Sequence, residues 1–500
     1  MLNNKMLVLS ISAMLSASAA SQTSHFNLEY IDAAGVGAND TTAFVAPYGE
    51  TTVGEYRKEL IEFAVRAVSL QFNFTVKNDL IIDFEVPEGY GATTLGPVFS
   101  EIYSDEGKDS FGIMEYNRSY PSTLASALLG KRVISDEDAV VSFSNGESNL
   151  VTQSGNKFPG LVYDTYHEMM HVMGFVGTDC LGDCIPEPVS RNSHISPLFY
   201  YNDAGVVKEF ESLTLAQKTD AYISTDKFWY GGSESSRNAA INELTSGHND
   251  GYVHMHSTPS ENGGVDPQSG SHFSFDVLPA QLMHSSRAAT EDLGMAAYLL
   301  CDAGWCRGQG KVIEQSVAAT FNENASSESE RVIDITISEN INESVDEFEF
   351  TFTPDPNVDV ISFDDVDDAC SKVDGDSYVC TGELDFLSSV ELRLVVAPFD
   401  DYTLTGELRS TGYDVDRNGF NNILNETFET QESGVDDSSG GDNSGGDDTT
   451  GGDDTTPTPV NTPQTSGESG GGGSMPLFLM PFLLLIAIVR NFRASSSVVG

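Results

Sequence analysis

His167-Glu168-Met169-Met170-His171 lies between the turn signal Phe158-Pro159-Gly160 and a bend point at Gly174. Proline and glycine punctuate chains, so the spacing predicts a helix over 161–175, anchored in a core by Val172, Met173 and Phe175. Residues i and i+4 of a helix share a face. His167 and His171 can therefore aim both imidazoles at one Zn²⁺, with Glu168 beside the water that such an ion carries. Zinc lowers the pKa of that water towards ~7, and an adjacent carboxylate can take its proton and pass it on. The expected chemistry is peptide-bond hydrolysis. A surface helix with two chance histidines is the alternative, and the apolar, turn-bounded context argues against it.

Catalytic zinc keeps three protein ligands and one open position. In the elongated motif HExxHxxGxxH a third histidine stands ten residues after the first, but that position here is Gly177. The third ligand must come from elsewhere among the nine histidines, or from a carboxylate. His254 and His256 form an H-x-H pair that would share one face of a strand. His272 sits in Gly270-Ser271-His272-Phe273-Ser274, and His284 follows Leu282-Met283. Glu209, Glu211 and Glu243 qualify on composition alone.

The zinc helix, the distant Ser271-His272-Phe273 and then Leu282-Met283 resemble bacterial metzincin-type proteases related to leishmanolysin. Tyr120-Pro121-Ser122-Thr123-Leu124-Ala125, Asp292-Leu293-Gly294 and Asp302-Ala303-Gly304-Trp305 are similar to segments of the same group. The resemblance covers roughly residues 26–310. It implies that an insertion separates the second and third ligands, that His272 is the third, and that Met283 forms the Met-turn beneath the metal. It also implies protein or peptide substrates and one catalytic Zn²⁺, with Glu168 as general base. Tyr163 and Tyr166 are expected to pack rather than to assist.

Composition and chain ends place this chemistry outside the cell. Residues 1–20 read as a secretory signal peptide: Lys5, an apolar run from Met6 to Leu15, and a small-residue cleavage site at Ser16-Ala17-Ser18-Ala19-Ala20. Six cysteines fall in close pairs, Cys180/Cys184, Cys301/Cys306 and Cys370/Cys380. In an exported chain these are disulfide candidates; adjacent pairing is expected, although spacing leaves the connectivity open. The formal charge of −51, from 76 acidic and 25 basic side chains, repels nucleic acid and anionic membrane surfaces.

Residues 433–474 are nearly all Gly, Asp, Ser, Thr and Pro, a composition that forms a disordered stalk rather than a core. Met475 to Val489 is an apolar run ending at Arg490 and Arg493, a short transmembrane helix with its basic end in the cytoplasm. Linker, helix and basic end within 433–500 resemble the GlyGly-CTERM sorting signal of Gram-negative bacteria. That resemblance implies partners in the export machinery and a rhomboid-type sorting protease. Cleavage would leave the protein at the cell surface or in the medium; without it, the chain stays membrane-anchored and faces the periplasm.

Two folded units are expected between the ends. Residues 21–310 would form an α+β metzincin-like domain. A helix is predicted over Tyr56 to Leu70, strands over Leu80 to Val86 and Ala139 to Phe143, and a loop-rich stretch from Cys180 to Gly270 beside the cleft. Residues 311–432 would form an all-β sandwich of immunoglobulin type, with strands at Val332 to Ile337, Glu347 to Phe352, Val358 to Phe363, Ser389 to Val396 and Tyr402 to Leu408. Asp414-Val415-Asp416-Arg417-Asn418-Gly419 mimics half an EF-hand loop, which makes Ca²⁺ possible. Position twelve is Asn425 rather than Glu, so a plain turn at the sandwich end is favoured. The leading reading is an exported zinc endopeptidase. Its rivals are an adhesin with a closed structural metal site, His284 being a fourth ligand, and an enzyme with a glutamate as third ligand.

Overall fold

The computed structural model describes residues 25–86, 92–97, 99–101, 118–176, 192–260, 263–266, 268–285, 288–308, 310–341, 343–364, 370–373, 377–385, 387–399 and 401–429. The signal segment, Cys180 and Cys184, the stalk and the C-terminal apolar run all lie outside the described residues. Among the described residues no helix is long and apolar enough to cross a membrane.

The chain is a mixed α/β structure with many sheets and few helices. Its first sheet has four strands in the order Phe26–Tyr30, Asn78–Val86, Ala139–Ser144, Ala92–Pro97. The first three run parallel and Ala92–Pro97 is an antiparallel edge. Parallel neighbours need long crossovers, and the first is a 19-residue helix, Val53–Gln71. The Thr52 side chain caps it by accepting from the Glu55 N–H, and Leu60, Ile61, Ala64, Ala67 and Val68 give it a buried face. Against that face packs the histidine helix, Gly160–Val172.

Residues 199–254 correct the loop-rich expectation. They form a five-stranded antiparallel sheet in the order Val206–Glu209, Phe199–Asp203, Phe228–Tyr230, Tyr252–His254, His248–Asn249, with helices Leu215–Ile223 and Glu234–Glu243. Phe199, Tyr201, Phe228, Tyr230 and Val253 are buried on it. Its first hairpin turns through Ala204 and Gly205, both at positive φ, in the sense that matches the twist of paired strands. The H-x-H pair is not contained in one strand. His254 ends its strand and His256 lies beyond it, so one pairs with Asp276 while the other meets Phe275.

Residues 315–429 form two facing sheets. One runs Gln315–Phe321, Arg331–Glu339, Ser389–Val396, Val360–Asp364. The other runs Cys370–Lys372, Tyr378–Leu384, Val345–Thr353, Asp401–Ser410, Ile423–Glu429. Alternate residues Ile333, Ile335 and Ile337 meet Phe348, Phe350 and Phe352 in a common core. Cys370 and Cys380 are disulfide-bonded across one edge, and Cys301 with Cys306 in the first domain.

Asp414 to Gly419 is no free turn at the sandwich end. Val415 and Phe420 belong to the first domain's core, and Phe420 packs against Phe63, Phe158 and Tyr166 at 5.4, 5.0 and 4.8 Å between ring centroids. Gly419 is required there, because a Cβ would stand 2.1 Å from the Ala67 carbonyl oxygen. Arg417 reaches across to Asp292 and Glu243. The second domain thus contributes part of the packing behind the histidine helix.

Candidate metal centre

The histidine helix starts at Pro159, which sits just outside it as N-cap. Tyr163 and Tyr166 lie within it and are buried. At its other end, terminal carbonyls that no helical N–H can reach find side-chain donors: Thr123 Oγ1 to Val172 at 2.7 Å and Trp305 Nε1 to Met173 at 2.8 Å. Gly174, at φ 106°, then turns the chain back. A side chain there would meet Pro121 Cγ at 2.9 Å. The bend carries the Phe175 carbonyl to His171 Nδ1, 2.6 Å away.

The loop bearing His272 is held on both sides. His256 N–H donates to the His272 carbonyl at 2.8 Å and Ser274 N–H to that of His254 at 3.0 Å. On the other side Phe273 N–H donates to the Met283 carbonyl at 2.7 Å. Met283 is fully buried, and Leu282 beside it accepts a hydrogen bond from His167 Nδ1 at 2.9 Å. The Leu282-Met283 segment therefore abuts both the first histidine and the third.

These elements bring His167, His171 and His272 together, with one ligand nitrogen from each within 4.8 Å of the others. Among the described residues this is the one such group of three or more His, Cys, Asp or Glu. The Nδ1 atoms face acceptors: Leu282 O for His167, Phe175 O for His171, and for His272 both Gln268 O at 3.3 Å and Ser271 Oγ at 3.0 Å, a hydroxyl that gives its own proton to Gln268 O. A carbonyl only accepts, so each Nδ1 carries the proton and each Nε2 offers a lone pair. His167 Nε2 and His272 Nε2 stand 3.1 Å apart with no proton left to share. Two lone pairs at that distance repel unless a cation lies between them. Tetrahedral bonds of ~2.0–2.1 Å would set the nitrogens roughly 3.3–3.4 Å apart, so the geometry fits. Burial disfavours the charged form of two of them: it holds His171 down to about 3, helped by His167, and His272 well below the usual histidine range.

Glu168 is buried, and Thr94 of the edge strand donates to its Oε2 at 2.7 Å. Burial raises its pKa to about 8; the Thr94 hydroxyl opposes that, while Asp164 adds to it. A positive charge held by the flanking imidazoles acts in the opposite direction and favours the carboxylate.

The other ligand candidates lie apart. Glu211 pairs with Arg118, Glu243 with Arg417, and Glu209 is an exposed residue at the end of a hairpin strand. His284 stacks edge-on against Phe275, at 5.2 Å, and is outside the triad. Sequence reasoning missed Thr94, for which no local signal exists, and the three carbonyls that orient the imidazoles.

No family model and no curated protein matches this chain. Solved structures overlap parts of it. A FixG-related protein from Vibrio parahaemolyticus shares 8% identity at a TM-score of 0.15, over 23% of this chain and 96% of its own. ChBD2 from Thermococcus kodakarensis KOD1 shares 13% at 0.15, over 21% and 97%. The B domain of a biofilm-associated protein shares 17% at 0.14, over 23% and 42%. Likenesses this slight say nothing about what the protein does.

Proposed function

We propose that this chain is an exported zinc-dependent endopeptidase of metzincin type, akin to leishmanolysin-like proteases, carrying an immunoglobulin-type sandwich. One observation carries the reading: His167, His171 and His272 each bring a ring nitrogen within 4.8 Å of the others, the Nε2 atoms of His167 and His272 standing 3.1 Å apart, with a buried glutamate next to the first of them in the chain. His167, His171 and His272 would hold the zinc, which when bound would supply a Lewis acid to acidify water and polarise a carbonyl. Glu168 takes the proton from the attacking water and delivers it to the leaving amide nitrogen. Thr94 fixes one of its oxygens, which limits the rotamers open to the base.

The edge strand Ala92–Pro97 has no partner on its outer side among the described residues. An extended peptide can add there by main-chain hydrogen bonds, lying alongside the residue that holds the base. In the sandwich, Arg331–Glu339 pairs with Ser389–Val396 in one sheet; in the other, Val345–Thr353 pairs with Asp401–Ser410, which pairs in turn with Ile423–Glu429. That order supports the immunoglobulin-type reading, in which B pairs with E, and C with F and F with G. The sequence-based export and C-terminal sorting signals make protein substrates in the periplasm, at the cell surface or in the medium the targets.

The test is cleavage of casein by the mature chain. A zinc chelator should abolish it and one equivalent of Zn²⁺ should restore it. Cleavage that survives complete zinc removal would overturn the reading, as would a zinc-loaded protein that cuts no protein or peptide.

A further inference from the structure

Asp416 plays no part in the chemistry above, yet its carboxylate is 1% exposed at the junction of the two domains. It accepts from Gln315 N–H at 3.3 Å, Asn418 N–H at 2.9 Å and Asn422 Nδ2 at 2.9 Å. Asp416 makes no ion pair among the described residues; the adjacent Arg417 is turned to Asp292 and Glu243, at 2.6 and 2.8 Å. The amides around it are short of donors. Gln71 Nε2 donates to the Asp416 carbonyl at 3.1 Å and to the Tyr166 hydroxyl at 2.5 Å, while Gln71 Oε1 has no partner. Gln315 Oε1 and Asn422 Oδ1 also lack partners, and all three residues are at most 1% exposed. Against these acceptors stands one unpaired donor of the same residues, Gln315 Nε2.

Buried acceptors are rarely left unmet, and a buried charge is costlier still. Water could donate to the amides but would leave the charge in place. Oxygen acceptors in excess around an uncompensated carboxylate suit a hard cation. We propose that the domain junction binds one cation of the calcium class, ligated by the Asp416 carboxylate, the side-chain oxygen of Gln315 and that of Asn422 once its amide, which now turns Nδ2 to Asp416, flips over, with Gln71 beside them. This set differs from a twelve-residue EF-hand loop. It draws on separate segments, and it omits Asp414, whose carboxylate accepts from Lys311 N–H and Ser410 Oγ. Burial raises the Asp416 pKa to about 8, and the charge of Glu314 adds to this, so a proton competes for the place. Because Gln71 joins Asp416 to Tyr166, the cation would fasten the sandwich to both helices behind the triad. The proposal does not depend on what the triad holds.

The experiment is thermal unfolding of the zinc-loaded mature chain, titrated with Ca²⁺ and in parallel with Mg²⁺. A surface of charge −51 binds calcium loosely, so the comparison with Asp416→Asn decides. Saturating Ca²⁺ should raise the Tm of the wild type by roughly 3–5 °C. Asp416→Asn should lose that response, whatever its own Tm without calcium. Gln315→Met, which keeps the charge and removes one oxygen, should weaken the apparent calcium affinity about tenfold or more; it reads the same question if Asp416→Asn fails to fold. An unchanged calcium response in either variant, or no response in the wild type, would overturn the proposal.

Discussion

Glu168→Gln is expected to lower peptide hydrolysis by ~10²–10⁴-fold, the range that a positioned general base contributes, while zinc stays at one ion per chain. Glutamine keeps the shape of the side chain and can still accept from the Thr94 hydroxyl, now 2.7 Å from Oε2. None of the three imidazoles is altered, and their Nδ1 protons still face Leu282, Phe175 and Gln268. What is lost is the capacity to take a proton. The measurement is steady-state cleavage alongside metal content on one preparation. Full activity in the variant would remove Glu168 from the mechanism. Loss of zinc together with activity would show that the residue builds the site instead.

Phe420→Ala should destabilise the whole chain by about 3–5 kcal/mol, the usual cost of emptying a large aromatic site in a core. The ring is contributed by the second domain but lies among Phe63, Phe158 and Tyr166 of the first. Tyr166 directly precedes His167, so the cavity would open behind the metal-facing turn of the histidine helix. Urea unfolding of variant and wild type measures the difference. A cost below about 1 kcal/mol would mean that the junction relaxes freely and that residues 21–310 are self-sufficient. A cost in the expected range makes the sandwich a structural part of the site-bearing domain.

What could be read from the sequence was local. His167, Glu168 and His171 sit within one helical turn and announce themselves by spacing. The sandwich strands show because Ile333, Ile335 and Ile337, or Phe348, Phe350 and Phe352, alternate at period two over long enough runs. The sheet in residues 199–254 was hidden because its strands are only two to five residues long, too short for alternation to stand out. His272 is marked only by resemblance, through Ser271-His272-Phe273 and Leu282-Met283; its place follows from the pairings of its neighbour Phe273 with Met255 and Met283. The Asp414–Gly419 stretch misled for a related reason. Its acidic composition reads as a surface turn, whereas burial comes from the long helix packing over it, so that Gly419 meets the Ala67 carbonyl.

The most direct test of the central claim is an anomalous difference map, recorded at the zinc edge, from crystals of the zinc-loaded mature protein. The account predicts one strong peak, ~2.0–2.1 Å from the Nε2 atoms of His167, His171 and His272, with no fourth protein ligand. A peak elsewhere, a site closed by a fourth side chain, or no peak in a folded protein would contradict it.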